Sequence, residues 1–83
     1  SEKRDDFSFA VALSNLAGIL KDQAKFADAE PMYEGALAII EKLRGSESSE
    51  FATVTDNLAL LYMRQGDFRK ALPLQEKALV TYE

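Results

Sequence analysis

Asn15 and Asn57 are the side chains in this sequence best suited to recognition, because a carboxamide offers hydrogen-bond donors and acceptors together. Such a pair can hold the backbone of an extended peptide. The two stand 42 residues apart and recur while the residue before each changes, from Ser14 to Asp56. A contact to a neighbouring helix that supports stacking is the other role open to them. Bond-making chemistry has little to work with. The chain has no histidine and no cysteine, which removes the commonest general base and metal ligand and all thiol chemistry. Ser48 therefore has no base to activate it. Glu30, Glu34 and Glu41 fall at near-helical spacing and read as a solvated charged face. Gly45 and Gly66 are isolated, unlike a phosphate-cradling loop, and no loop gathers the oxygen ligands that calcium requires. No enzymatic activity, cofactor or metal is expected.

The elements that position these residues come as a duplicated pattern. Leu13 to Leu37 (LSNLAGILKDQAKFADAEPMYEGAL) is rewritten from Thr55 to Leu79 (TDNLALLYMRQGDFRKALPLQEKAL). Asn15, Leu16, Ala17, Gln23, Phe26, Ala29, Pro31, Glu34, Ala36 and Leu37 all return at an offset of 42. Self-similarity at a fixed period of this size indicates a stacked repeat. SEKRDD is read as a charged lead-in, with Asp5 or Asp6 capping a helix that runs from Phe7 to about Asp22. Its apolar stripe is Phe9, Leu13, Leu16, Ala17 and Leu20, at steps of three and four. A second helix, from about Phe26 to Leu43, presents Phe26, Ala29, Tyr33, Ala36, Leu37 and Ile40, and its two small alanines let a partner helix come close. Pro31 and Pro73 lie early in the second helix of each copy and predict a slight bend. In the turns, Gly66 suits the left-handed residue that ends a helix. Ala24 holds the equivalent place, which predicts a first turn that is more strained or differently shaped.

Gly45 opens the only linker, residues 45–49, and Ser48 or Ser49 is expected to cap the next helix. That third helix runs from about Glu50 to Arg64 with Phe51, Val54, Leu58, Ala59 and Tyr62 inward. The fourth runs from about Phe68 to Tyr82 with Phe68, Ala71, Leu72, Gln75, Ala78 and Leu79 inward. Phe26 and Phe68 are expected to plug the hairpin corners.

Composition bounds the rest. Eighty-three residues, 47% apolar and 29% charged, make at most one small domain of globular character. A net charge of −4 argues against nucleic acid or anionic membrane as a partner. No apolar run approaches the roughly 20 residues of a membrane helix, and no signal peptide is visible. With no cysteine as well, the cytoplasm is the expected location. The chain begins at Ser1, and the expectation is a piece of a longer protein.

The duplicated pattern resembles the tetratricopeptide repeat. Leu13, Leu16, Ala17 and Leu20, then Leu58, Ala59 and Tyr62 with Thr55 weak in the first place, fill the pattern of the first helix. Ala29, Tyr33 and Ala36 fill the second, as do Ala71 and Ala78 with Gln75 in the aromatic place. Glu41 and Glu83 stand where the family has a closing proline. The usual period is roughly 34 residues, and the longer one here is similar to that of kinesin light chains and nephrocystin-like proteins. HEAT and armadillo repeats have a similar period but lack the alanine–aromatic–alanine spacing. The resemblance implies an all-α fold: two tandem helix-turn-helix hairpins, four antiparallel helices, forming a short right-handed α-solenoid. Repeat 1 covers about 7–44 and repeat 2 about 50–83.

In such a solenoid the first helix of each hairpin lines the concave face. The resemblance thus places Val11, Ser14, Asn15, Gly18 and Lys21 there from the first repeat, and Thr53, Asp56, Asn57, Leu60, Met63 and Arg64 from the second. In kinesin-light-chain-like repeats the equivalent asparagines hold peptide backbone. Leu60 and Met63 replace Gly18 and Lys21 and suit an anchor pocket for a peptide side chain. Some family members clamp a C-terminal carboxylate with basic and amide groups; here Ser14, Gly18, Asp56 and Leu60 occupy those places, so that activity is not implied. The expected function is a scaffold module binding an extended peptide or a partner protein on its concave face. The alternative is an assembly module that stacks on further repeats. Phe7 or Val11 at one end and Leu72, Leu74 and Val80 at the other offer apolar end faces for homo-oligomerisation. The 45–49 linker is the candidate hinge for hairpin exchange.

Overall fold

Helix periodicity at both copies produces four helices and, among the described residues, no strand. The computed structural model describes the backbone of residues 2–82 and the side chains of residues 6–76. The helices are α1 (Glu2–Asp22), α2 (Phe26–Arg44), α3 (Ser49–Gln65) and α4 (Phe68–Tyr82). α1 packs along α2 and α3 along α4, making two hairpins; α2 then packs on α3, and α1 touches α3 only lightly. The seam inside the first hairpin is built on alanine: Ala10, Ala17, Ala29 and Ala36 have no exposed surface. Tyr33, Ile40, Phe51, Val54, Leu58, Ala59, Leu61 and Tyr62 complete the core around them. Burying a side chain the size of leucine contributes about 1.5–3 kcal/mol, whereas an exposed ion pair contributes about 0–1 kcal/mol. The junction between hairpins is therefore held by α3's apolar face more than by the exposed Arg64–Asp22 pair that crosses it at 3.1 Å.

Both hairpin turns close in the same way. The Lys25 N–H donates to the Leu20 carbonyl at 2.8 Å and the Ala24 N–H to that of Lys21 at 2.9 Å; Asp67 to Tyr62 (2.8 Å) and Gly66 to Met63 (3.0 Å) repeat the scheme. These paired bonds need a left-handed residue in the middle. Gly66 supplies it at φ 82°, and Ala24 adopts φ 63°, the one non-glycine residue with positive φ among the described residues. The strain read from the sequence at Ala24 is thus present. Past the turns the copies differ. The Asp67 carboxylate accepts from the Lys70 N–H at 3.3 Å and caps α4. Lys25, in front of α2, makes no side-chain cap. Between the hairpins Ser48 is the capping serine: its hydroxyl accepts from the Phe51 N–H at 3.2 Å and donates to the Gly45 carbonyl at 2.8 Å.

Several expectations are corrected. The charged lead-in is helical from Glu2, so Asp5 and Asp6 lie within α1 and not at the position before its first residue, where a cap would stand. Phe9 and Leu16, read as inward, are exposed; the buried side of α1 is Ala10, Leu13, Ala17 and Leu20. Phe68 and Leu72 are exposed as well, so Phe68 plugs no corner, while its counterpart Phe26 is half-buried against the core. The reason is positional: α2 has a second hairpin packed on it, and among the described residues nothing packs on the same flank of α4. Ala52, Thr55 and Leu61 are buried beyond the residues expected. Ala78, Leu79 and Val80 lie outside the residues whose side chains are described.

Candidate functional site

The light contact between α1 and α3 leaves a concavity between them. It encloses about 260 Å³ and is lined by Phe7, Val11, Ser14 and Asn15 of α1, Ile40 of α2, and Glu50, Thr53, Val54 and Asn57 of α3. Helix spacing explains the membership. Phe7, Val11 and Ser14/Asn15 succeed one another every three or four residues on one face, as do Glu50, Thr53/Val54 and Asn57. Ile40 and Val54 are buried and give an apolar floor; Ser14, Asn15, Thr53 and Asn57 give a polar rim. Among the described residues neither the Asn15 nor the Asn57 carboxamide has a hydrogen-bond partner. Glu50 at the mouth is held by Arg44 at 3.0 Å. The same guanidinium lies 4.5 Å from the centre of the Phe7 ring, a cation–π contact that fixes one wall.

Of the eleven residues placed on the concave face by sequence, Val11, Ser14, Asn15, Thr53 and Asn57 line this concavity. The others do not. Lys21 sits over the Tyr33 ring at 6.0 Å, and Gly18 lies against the same tyrosine's hydroxyl, so both belong to the hairpin seam. Met63 sits on the matching seam of the second hairpin, where its Sδ accepts from Gln75 Nε2 at 3.2 Å. Lys21–Tyr33 and Met63–Gln75 are the same pair of positions, 42 residues apart, changed together. Arg64 reaches back to Asp22, Leu60 is exposed outside the concavity, and half-buried Asp56 does not line it. Phe7, Ile40, Glu50 and Val54 were missed. The signal for Phe7 is its spacing of four from Val11 on the same helix face.

A larger and more open groove of about 530 Å³ lies on the other side of α3, between α2 and α4. Glu34, Glu41 and Lys70 stand on its margins, with Phe51, Leu58 and Tyr62 at its base. The base is core, and the groove holds no repeated amide. Here the Tyr62 hydroxyl donates to Glu30 Oε2 at 2.5 Å, tying α3 to α2. Burial above all, then that hydrogen bond, then the charges of Glu30, Glu34 and Asp67 hold the Tyr62 phenol far above its ordinary range. Burial, then the charge of Asp22, also pushes Tyr33 up. Among the described residues no three carboxylates converge as a metal site would require, and no helix is long and apolar enough to cross a membrane.

Paired hairpins, alanine seams and a concavity between first helices are the geometry against which relatives can be judged. The family model described as tetratricopeptide repeat matches residues 8–83. The chain belongs to the tetratricopeptide-repeat family. Members of this family generally mediate protein–protein interactions, and the matched residues take in most of α1 and all of α2, α3 and α4. No curated protein matches the chain.

Proposed function

We propose that this tetratricopeptide module is a non-enzymatic scaffold that binds an extended peptide, or an extended segment of a partner protein, in the concavity between α1 and α3. The observation that carries the reading is that Asn15 and Asn57, one from each repeat, line one cavity with their carboxamides unengaged. An amide committed to stacking would be spent on a neighbouring helix. The apolar floor of Ile40 and Val54 suits one small apolar side chain of the ligand, and the rim suits its backbone. Kinesin-light-chain-like membership, supported by the period of 42, belongs to the same proposal. So does a cytoplasmic setting, which rests on the cysteine-free composition. The net charge of −4 favours protein over nucleic acid or anionic membrane.

The test is a titration of a labelled library of extended peptides against the 83-residue chain, repeated with Asn57→Ala and Asn15→Ala. Each substitution is expected to weaken binding by about 1–3 kcal/mol through an unsatisfied polar partner, with the thermal midpoint unchanged. A library in which nothing binds, or binders indifferent to both substitutions, would remove the peptide reading.

A further inference from the structure

Helix α1 carries another apolar stripe, on the flank away from the concavity: Phe9, Ala12, Leu16 and Ile19, all exposed. The repeat offset of 42 carries these four onto Phe51, Val54, Leu58 and Leu61 of α3. There the outcome is opposite. Phe51, Leu58 and Leu61 are 8%, 4% and 0% exposed, against 58%, 44% and 55% for Phe9, Leu16 and Ile19. Residues of the same character in the same register differ because α3 has the second helix of another hairpin packed on it and α1 does not. The stripe on α1 has the makings of half a junction.

We propose that this face of α1 docks the outer flank of α4 of a second copy of the chain, so that copies join head to tail and the new junction repeats the one between α2 and α3. Residues that change together select a second copy as the occupant. At the internal junction Tyr62 donates to Glu30. At a junction between copies, the same two positions are held by Leu20 of one copy and Leu72 of the other. A polar pair is replaced on both sides at once by an apolar pair, and Leu72 stands exposed on α4. Neither leucine is then left facing an unpaired polar group, which would cost its hydrogen bond. The charges agree. Asp22 pairs with Arg64 inside the chain; between copies Arg64 takes the place of Asp22 and meets Asp22 in the place of Arg64, so the ladder of alternating sign continues. One edge opposes the contact. Asp28 and Glu76 take the places of Lys70 and Glu34, but these lie at the margin of the open groove, where salt screens them. The two faces are different surfaces, so the contact is heterologous and propagates unless the rotation closes a ring. It is independent of peptide binding, and it would extend the concave face from copy to copy.

Sedimentation velocity over a wide concentration range tests it. The unmodified chain is expected to grow in mass with concentration. Leu16→Glu spoils only the α1 face and Leu72→Lys only the α4 face. Both positions are exposed, so each variant is expected to keep its helical circular dichroism. Each alone is expected to stay monomeric, while a mixture forms a species of roughly twice the monomer mass and nothing larger, because one intact face remains on each partner. A chain that is monomeric throughout would overturn the proposal. So would a Leu72→Lys variant that still dimerises, which would mean that α1 pairs with itself, or a mixture that stays monomeric.

Discussion

The two hairpin turns form a matched experiment on backbone strain. Ala24 and Gly66 occupy the same place in the same hydrogen-bonded turn, at φ 63° and 82°. For an L-residue with a Cβ that conformation costs about 1–2 kcal/mol. Glycine escapes the cost but loses more freedom on folding, about 0.4–1 kcal/mol. The balance for Ala24→Gly is a stabilisation of about 0.5–1 kcal/mol. Gly66→Ala is the reverse change, and a Cβ built on Gly66 meets nothing within 4 Å, so its cost is conformational alone and of the same size. For a chain of this length those energies shift the thermal midpoint by roughly 3–6 °C, upward for Ala24→Gly and downward for Gly66→Ala. The double variant is expected near the unmodified chain, since separate sites add. Far-UV circular dichroism melts report all four proteins, at low concentration so that association does not add stability by mass action. An Ala24→Gly protein no more stable than its parent, beside a Gly66→Ala protein that has lost stability, would refute the reasoning, for it would show that the first turn carries no strain.

Other outcomes follow from single contacts. Lys25→Asp places at the front of α2 the cap that Asp67 gives α4, and a gain of about 1 kcal/mol is expected in urea unfolding. Thr55 is buried with its hydroxyl unpartnered, so Thr55→Val is expected to stabilise by about 1 kcal/mol in the same assay. Tyr62→Phe removes the bond to Glu30 and is expected to cost about 1–2 kcal/mol at neutral pH. It also tests a pH dependence. The phenol's folded value lies above the ordinary 10.0, so above that pH the folded chain holds a proton that the unfolded chain releases. The contribution is full below pH 10.0 and is lost as pH rises beyond it. Tyr62→Phe is expected to flatten the alkaline decline, leaving the smaller part due to Tyr33, and an unchanged slope would refute it.

Much of the architecture was legible because it is local. Steps of three and four in apolar residues produce helices wherever they occur. The repeated Gln-x-x-Phe turn, Ser48 in front of α3 and the small Ala29 and Ala36 each act within a few residues of themselves or on an adjacent helix. The left-handed strain at Ala24 could be read from its alignment with Gly66, because a tight turn demands the same backbone from both. The pair Asn15 and Asn57 was visible as an amide recurring on the first helix of each copy, and Val11, Ser14 and Thr53 followed from their helix face.

Burial is where the sequence ran out. Phe9 and Phe51, or Leu16 and Leu58, are indistinguishable as sequence, yet one of each pair faces solvent and the other the core. Periodicity defines an apolar face; whether anything covers that face depends on a helix distant in the chain. The same limit hid the roles of Lys21 and Met63, which the hairpin seam claims through Tyr33 and Gln75, and of Ile40, which reaches the concavity from a helix not expected to line it. The sequence by itself determined the helices, their turns and their pairing into two hairpins, since these depend on backbone conformation and near neighbours. The tertiary structure alone decided which stripes are core, which amides share a cavity and which face of α1 stands ready for another helix, because each of these is a relation between surfaces that only packing brings together.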